Sequence, residues 1–295
     1  MEYLLGKRDA SSGLLSYGLG DWIPVVASPV AVTATATLVQ DLRALAYAAQ
    51  RLGLPPARAA NYSALAEEVG AAFHAAFWQP TQGAYITQCA AGMALLLGIT
   101  PPGAQAAARA ALLADVRARG NVSTSGEIGN RYALMALGEM GADGVEAVWS
   151  SLLRTNAPGY GWMLTMGETA LAESWTDAPG DSHIHAMYGH IDEFLYTYVA
   201  GIKGVGLVGA GAARAGATAW DAVELTPMLL PQLTWVNCTY QSPRGLIAVS
   251  YRAAEEGEGV VVAAQVPPGV QGVLVLPRSG RRVALLGGQA LQVRD

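Results

Sequence analysis

The spacing of apolar residues changes once along this chain, and that change limits which folds the chain can adopt. Before about residue 200, apolar side chains recur every three or four positions, as Leu38 and Leu42 do. From about Thr218 onward they alternate with polar residues between Pro and Gly turns. A period near 3.6 indicates amphipathic helices, and a period of two indicates strands. We therefore predict a helical domain over residues 1–217 and a β-domain over residues 218–295.

The helical part divides into runs that are separated by Gly or Pro. In the first run, Ser28 and Pro29 provide a cap and a first turn, and Gly53 and Pro55 end it. Further helical runs are predicted at 61–77, 87–98, 102–119, 127–141, 143–155 and 182–201. Helices joined by short turns pack as antiparallel hairpins. The sequence therefore predicts a mainly α domain of about seven or eight helices arranged in hairpins.

The C-terminal part has the composition of a β-sandwich. Strands are predicted at 222–229, 233–241, 245–252, 259–266, 272–277 and 281–286. Pro-Pro-Gly, Ser-Pro-Arg-Gly and Gly-Gly turns separate several of them. Trp235, Tyr240 and Tyr251 are predicted to be core residues of this domain, in preference to a second sugar site.

Composition argues against several classes of function. The net charge is −5 with 18 Lys and Arg residues, so the chain has no basic stripe to neutralise a nucleic acid. The apolar run 90–99 is about half as long as a bilayer crossing requires, so no membrane contact is expected. No secretory signal opens the sequence, which leaves a cytoplasmic location as the default. Cys89 and Cys238 form neither a disulfide framework nor a zinc motif, and we expect buried free thiols.

One tract near the end of the helical part concentrates chemically useful side chains. Glu173 stands between Trp162 and Trp175 and is followed by His183 and His185. A carboxylate can act as a base, indole faces can stack on a pyranose ring, and imidazoles can bond its hydroxyls. The tryptophans can equally be core residues, with Glu173 a solvated loop acid. On these residues alone, both interpretations are open.

The tract also carries a family resemblance. Its runs GWMLTMGETALAESW and SHIHAMYGHIDEFLYTYVAGI resemble a signature of the bacterial-type α-L-rhamnosidases, glycoside hydrolase family 78. LLSYGLGDWIP at 14–24 resembles the Gly-Asp-Trp loop of that family, and further matches follow in family order over nearly the whole chain. The resemblance implies an (α/α)6 toroid, or six-hairpin glycosidase, followed by a C-terminal β-sandwich. It also implies release of terminal α-L-rhamnose from a glycoside or oligosaccharide by inversion, without a cofactor or metal.

The resemblance assigns roles to individual residues. Glu173 would be the catalytic base that activates water, and His185 would contact the sugar or that water. Asp21 and Trp22 would form part of the wall around bound rhamnose, with Trp175 as a weaker member. Because inversion needs a carboxylate base and a separate acid, roughly 6.5 to 9.5 Å apart, one carboxylate is not sufficient.

Departures from the family pattern predict an altered, incomplete site. Ala172, Ser174 and Ile184 stand where the family usually has Trp, Arg and Asn. The general acid of the family lies in an acidic segment upstream of the Gly-Asp-Trp loop, and this chain does not carry that segment. We therefore expect an incomplete toroid that lacks about its first third, and little activity from the chain alone. An incomplete toroid exposes an apolar edge, which predicts self-association or binding of a separately encoded N-terminal part.

Other carboxylates and other functions stay open. Asp21 is the nearest substitute for the acid, and Glu127 and Glu168 are further carboxylates. Asp192 and Glu193 are better interpreted as solvated acids in the first turns of a helix. The alternatives to hydrolysis of a rhamnoside are a non-catalytic, sugar-binding relic and a six-hairpin glycosidase for another sugar.

Overall fold

The computed structural model of the protein describes residues 1–176, 181–204, 220–254 and 259–295. They form two units, Met1–His190 and Ile191–Asp295. The first is helical and the second consists mainly of strands, as the change in apolar spacing predicts. The predicted domain boundary between residues 217 and 218 lies outside the described residues.

Most of the predicted helices are present in the helical unit. In chain order it contains α1 (Glu2–Leu5), α2 (Val30–Arg51), α3 (Pro56–Phe77), β1 (Trp78–Gln79), β2 (Ala84–Tyr85), α4 (Gln88–Leu96), α5 (Pro102–Ala118), α6 (Glu127–Gly138), α7 (Ala142–Leu152) and α8 (Tyr160–Thr165). Helices α2 to α7 match the predicted runs, with ends that differ by a few residues. The antiparallel pair β1 and β2 and the short helices α1 and α8 are not predicted by the apolar spacing.

Helices α2 and α3 pack against each other as the first hairpin, and this packing explains the apolar spacing. Leu38 and Leu42 on α2, like Val69 and Phe73 on α3, are at most 1% exposed. Burial of each such side chain stabilises the fold by about 1.5–3 kcal/mol. Pro56 is the first residue of α3, where a backbone N–H would make no helical hydrogen bond, so its missing N–H costs the helix nothing.

The helical run predicted at 182–201 is confirmed over 186–199, but it is not one regular α-helix. It consists of a 3-10 turn at Ala186–Gly189, α9 (His190–Phe194) and a π-helical turn at Leu195–Val199. Tertiary hydrogen bonds engage the backbone at its start. The N–H of His185 donates to the carbonyl of Leu171, and the hydroxyl of Tyr160 donates to the carbonyl of Tyr188. These contacts use backbone groups close to where a regular helix would begin.

The β unit contains two sheets. Its strands are β3 (Ile202–Gly204), β4 (Ala222–Leu225), β5 (Trp235–Ser242), β6 (Gly245–Ala253), β7 (Val260–Gln265), β8 (Gln271–Val275), β9 (Arg282–Leu285) and β10 (Ala290–Arg294). Among the described residues, one four-stranded sheet has the antiparallel order β10-β7-β6-β5. The other has the order β3-β4-β8-β9, in which β4 and β8 are parallel. Val249 on β6 pairs with Cys238 and with Ala264, which defines the register of the first sheet.

Both sheets contribute to one cluster of buried residues. Val223 and Leu225 come from the second sheet, and Ile247, Val249 and Val262 come from the first. Each of these five side chains is at most 2% exposed. Alternate positions on β6 and β7 face the cluster, because successive side chains of a strand point to opposite faces.

The aromatic residues predicted for this core have different environments. Tyr251 is 3% exposed, and its hydroxyl donates to the carbonyl of Met228, which confirms its assignment to the core. Val236 and Tyr240 on β5 are partly buried against the cluster. Trp235 precedes Val236 and therefore points to the other face, where it is 64% exposed. The prediction of a core position for Trp235 is wrong.

The two cysteines are free thiols with different burial. Cys89 is 1% exposed, as predicted, whereas Cys238 is only half-buried on β5. Burial raises the pKa of both thiols, and the carboxylate of Asp21 raises the pKa of Cys89 further. Over the part of the chain that the structure describes, no helix has the length and apolar character needed to span a bilayer.

Candidate functional site

Asp21 anchors the Gly-Asp-Trp loop on the start of α6. Its side chain is 7% exposed, and its two oxygens accept the N–H groups of Gly126 and Gly129, both at 2.8 Å. A carboxylate at this place also interacts favourably with the dipole of α6. A Cβ atom on Gly126 would collide with the carbonyl of Trp22, so this close approach requires glycine. Asp21 is therefore a helix cap with a hydrogen bond on each oxygen.

Trp22 connects the loop to two glutamates. Its carbonyl accepts the N–H of Glu127 at 2.9 Å, and its indole N–H lies 3.4 Å from Oε1 of Glu173. The adjacent Ile23 has a φ of 48°, in the left-handed region that β-branched residues rarely adopt. The surrounding contacts therefore impose the conformation of the loop. Trp22 is 45% exposed, which leaves an indole face that can stack on a sugar ring.

Glu173 is held by the segment that follows it. Its Oε2 accepts the N–H of Ser182 at 2.8 Å, and its own N–H donates to the Ser182 carbonyl at 2.8 Å. Two residues before it, the carbonyl of Leu171 accepts the N–H of His185 at 2.7 Å. These contacts place Glu173 and His185 on adjoining parts of one loop. A carboxylate with a defined orientation and one weakly bonded oxygen can take a proton from water.

Glu127 lies beside His185. Its Oε1 is 2.9 Å from Nδ1 of His185, and the two side chains are 6% and 29% exposed. Neither atom has a hydrogen-bond partner among the described residues. Burial raises the pKa of Glu127, and the carboxylates of Glu173 and Asp21 raise it further, whereas His185 lowers it. The site therefore contains a second buried carboxylate.

Trp175 is enclosed by other aromatic rings. It is 4% exposed and packs edge-on against Tyr160, with ring centroids 5.2 Å apart. The ring of Tyr188 is tilted against it, with a centroid distance of 4.2 Å. Its indole N–H and the Tyr188 hydroxyl lack hydrogen-bond partners in the described part of the chain. Burial raises the pKa of Tyr188, and the charges of Glu127 and Asp21 raise it further. In this position Trp175 supports the loop and offers no open face to a ligand.

The remaining residues of the tract have other partners. His183 is 63% exposed, with Nδ1 2.7 Å from Oε1 of Glu168. A ring nitrogen of His190 lies 2.8 Å from the amide nitrogen of the buried Asn130. Trp162 is half-buried on α8. Among the residues that the structure describes, no group of three or more His, Cys, Asp or Glu side chains is placed to hold a metal ion.

A cleft of about 540 Å³ opens beside Trp22 and Glu127. This volume lies within the range of ligand sites. Its walls are mainly apolar, and Asp41 adds a second acidic group, whose pKa is raised by burial. Glu173 and His185 are not among its lining residues, but they contact Trp22 and Glu127, which are.

The structure thus joins Trp22 to Glu173, and His185 to Glu127, through direct contacts. Asp21 supports this arrangement from the backbone of α6. In the sequence Glu127 is only one of several further carboxylates, because His185, the residue it contacts, lies far along the chain. A glutamate in the first turn of a helix indicates no more than a favourable dipole interaction.

Two family models match the chain. The model of the bacterial α-L-rhamnosidase six-hairpin glycosidase domain matches residues 1–199, and that of the bacterial α-L-rhamnosidase C-terminal domain matches residues 212–289. No curated protein shows a significant match to the sequence.

Several solved structures have the same fold. The α-L-rhamnosidase of Streptomyces avermitilis, complexed with L-rhamnose, matches with a TM-score of 0.83 and 23% identity over 99% of this chain and 29% of that protein. The native α-L-rhamnosidase of Aspergillus terreus matches with a TM-score of 0.83 and 18% identity over 98% of this chain and 34% of that protein. The GH78 family rhamnosidase of Bacillus sp. GL1 matches with a TM-score of 0.73 and 21% identity over 94% of this chain and 30% of that protein. This chain therefore spans about a third or less of the length of these proteins.

Proposed function

Because the chain belongs to the bacterial α-L-rhamnosidases with a six-hairpin glycosidase domain, we propose that it hydrolyses terminal α-L-rhamnosides by inversion. The substrate is a rhamnose-containing glycoside or oligosaccharide. The observation that carries this proposal is the placement of Glu173. Its carboxylate is oriented by the N–H of Ser182 and lies beside the exposed indole of Trp22.

In this mechanism Glu173 is the base. Its carboxylate takes a proton from a water molecule, whose oxygen forms a bond to the anomeric carbon on the face opposite the leaving group. The bond from that carbon to the glycosidic oxygen breaks, and an acid returns a proton to this oxygen. Trp22 stacks on the sugar ring, and His185 bonds a sugar hydroxyl. Asp21 contributes indirectly, because it holds the Trp22 loop on α6.

We also propose that the helical unit is part of an (α/α)6 toroid and that the β unit is a β-sandwich. Helices that follow one another in the chain, such as α2 with α3 and α6 with α7, pack as neighbours, as hairpins do. The two sheets share one buried cluster, which is typical of two sheets packed face to face. Both observations support these architectures.

A second candidate function is binding of a sugar without its hydrolysis. Trp175 is 4% exposed and Ala172 is 2% exposed, so neither extends an aromatic wall around a sugar. Trp22 then supplies the exposed indole of the site. A site with fewer aromatic contacts and no assigned acid would favour binding over turnover. A site with few aromatic contacts could also bind a pyranose other than rhamnose.

The test compares the chain with two variants on an aryl α-L-rhamnoside. We expect Glu173→Gln to lower kcat by about 10²–10⁴-fold, since general base catalysis contributes this much. The Kd for L-rhamnose, measured by calorimetry, should remain within about twofold because Gln keeps the shape of the side chain. Glu146→Gln, on the exposed surface of α7, is the matched control and should leave both quantities unchanged. Proton NMR should show β-L-rhamnose as the first product.

Each other result has a defined meaning. Full activity in Glu173→Gln would remove the base role, and α-L-rhamnose as first product would contradict inversion. Rhamnose binding without hydrolysis by the unmodified chain selects the sugar-binding function. Cleavage of an aryl glucoside or glucuronide, with no action on the rhamnoside, assigns a different sugar.

A further inference from the structure

Glu127 and His185 form a buried contact to which the proposed mechanism gives no role. Oε1 of Glu127 lies 2.9 Å from Nδ1 of His185, and neither atom has a hydrogen-bond partner among the described residues. The Glu127 side chain is 6% exposed, so solvent does little to compensate its charge. Because buried polar atoms are nearly always partnered, the approach of these two atoms requires an explanation.

Backbone hydrogen bonds hold both residues in place. The N–H of Glu127 donates to the carbonyl of Trp22 at 2.9 Å, and the N–H of His185 donates to the carbonyl of Leu171 at 2.7 Å. Glu127 also occupies the first turn of α6, where a carboxylate is favoured. The contact therefore arises from fixed backbone positions, unlike an ion pair between two mobile surface side chains.

The contact also determines which nitrogen of His185 can meet a ligand. The imidazole side chain is 29% exposed, whereas its Nδ1 is buried. A carboxylate beside Nδ1 favours the tautomer that carries the proton on that nitrogen. Nε2 then has a free lone pair and can accept a hydrogen bond from a sugar hydroxyl.

We propose that Glu127 is a positioning residue of the sugar site. Its carboxylate holds the proton of His185 on Nδ1 and thereby presents Nε2 as an acceptor to a hydroxyl of bound rhamnose. The ligand in this inference rests on the proposed function, whereas the orientation of the imidazole rests on the contact itself. No covalent step is involved.

The groups around Glu127 act on it in opposite directions. Burial disfavours its charged form, and the carboxylates of Glu173 and Asp21 add to that effect. The phenol of Tyr188 also faces this charge. His185 is the neighbour that lowers the pKa of Glu127 and so favours its ionised form.

The chain offers a matched control in a second carboxylate–histidine pair. Oε1 of Glu168 lies 2.7 Å from Nδ1 of His183, but this imidazole is 63% exposed. The Glu168 side chain is 11% exposed, but solvent reaches the imidazole and can replace the carboxylate as its partner. Substitutions at Glu168 therefore report what loss of a carboxylate does outside the site.

The experiment records long-range ¹H–¹⁵N correlations of the four histidines in the full chain, with L-rhamnose as the probe ligand. In the unmodified chain His185 should carry its proton on Nδ1. In Glu127→Leu, which has no acceptor, we expect the proton to move to Nε2 and the Kd for rhamnose to rise about tenfold, the effect of one hydrogen bond. In Glu127→Gln an amide oxygen remains beside Nδ1 as an acceptor, so the tautomer should be retained. Glu168→Leu should alter the signals of His183 alone.

The outcomes separate this inference from the proposed function. If Glu127→Leu changes neither the tautomer of His185 nor the Kd for rhamnose, the inference is wrong. In that case rhamnoside cleavage by the unmodified chain would still support the proposed function. If the tautomer changes but the unmodified chain neither binds nor cleaves rhamnosides, Glu127 orients His185 and the proposed function is wrong. Amide spectra verify folding, and Glu127→Met replaces Glu127→Leu if the shorter side chain unfolds the protein.

Discussion

The helical unit and the β unit bury different kinds of side chain. In the helical unit two acidic residues are buried, Asp21 at 7% and Glu127 at 5% exposure of the whole residue. In the described part of the β unit no charged side chain is buried, and the shared cluster includes apolar residues such as Ile247 and Leu274. A buried charge costs free energy unless it is compensated, so buried charges concentrate where they have a use. Among the described residues, the buried charges therefore lie in the unit that carries the proposed sugar site.

The two buried carboxylates, Asp21 and Glu127, also differ in how many hydrogen bonds compensate their charge. Asp21 accepts two backbone N–H groups, from Gly126 and Gly129, and so serves the fold. Glu127 has only the contact with His185, without a directed hydrogen bond among the described residues. A satisfied carboxylate stabilises the loop that carries it, whereas an incompletely satisfied one can respond to a ligand or to pH.

We expect the strongest loss of stability from truncating a buried side chain in the apolar core of the β unit. Leu274 is fully buried, so Leu274→Ala should lower the free energy of unfolding by about 2–5 kcal/mol, through lost burial and the cavity left behind. Trp235→Ala is the matched control on an exposed site and should change it by no more than about 0.5 kcal/mol. Urea unfolding of both variants measures these changes. A larger loss in Trp235→Ala would show that Trp235 is buried after all.

The second effect tests the cap in the helical unit. Asp21→Ala leaves the N–H groups of Gly126 and Gly129 without acceptors and should lower the free energy of unfolding by about 1–3 kcal/mol. Asp21→Asn keeps one acceptor oxygen and should lose less. Urea unfolding gives the stability, and the fluorescence of Trp22 in a background without the other tryptophans reports the loop. Equal stability of the alanine variant and the unmodified chain would contradict a capping role.

The smallest effect concerns pH and Glu127. The pKa of Glu127 is raised in the folded state, so folding favours its protonated form. The contribution of Glu127 to stability therefore falls as the pH rises from 4.5, its ordinary pKa, through the raised pKa. Glu127→Gln does not titrate, so its stability relative to the unmodified chain should improve over that interval. Urea unfolding at several values between about pH 4 and about pH 7 measures the difference. Glu168→Gln is the control, and a Glu127→Gln curve parallel to that of the unmodified chain would contradict the assignment.

Local patterns in the sequence predicted most of the secondary structure, because helix and strand periods depend on neighbouring residues. Helices α2 to α7 and the strands β4 to β9 match predicted runs. The predictions differ from the structure where distant contacts intervene. The helical stretch after His185 changes from a 3-10 turn through α9 to a π-helical turn, and its start is bonded to Leu171 and Tyr160. Trp235 lies on the exposed face of a strand whose orientation depends on the sheet.

Periodicity and motifs are carried by residues close together in the chain, so the two-part architecture, the family and the importance of Glu173 could be read from the sequence. Three features became visible only in the folded chain: Asp21 caps α6, Trp175 is enclosed, and Glu127 contacts His185. Each of these depends on side chains that are distant in sequence and become neighbours only when the helices and loops pack. Burial and electrostatic coupling follow from that packing, so no local pattern contains them.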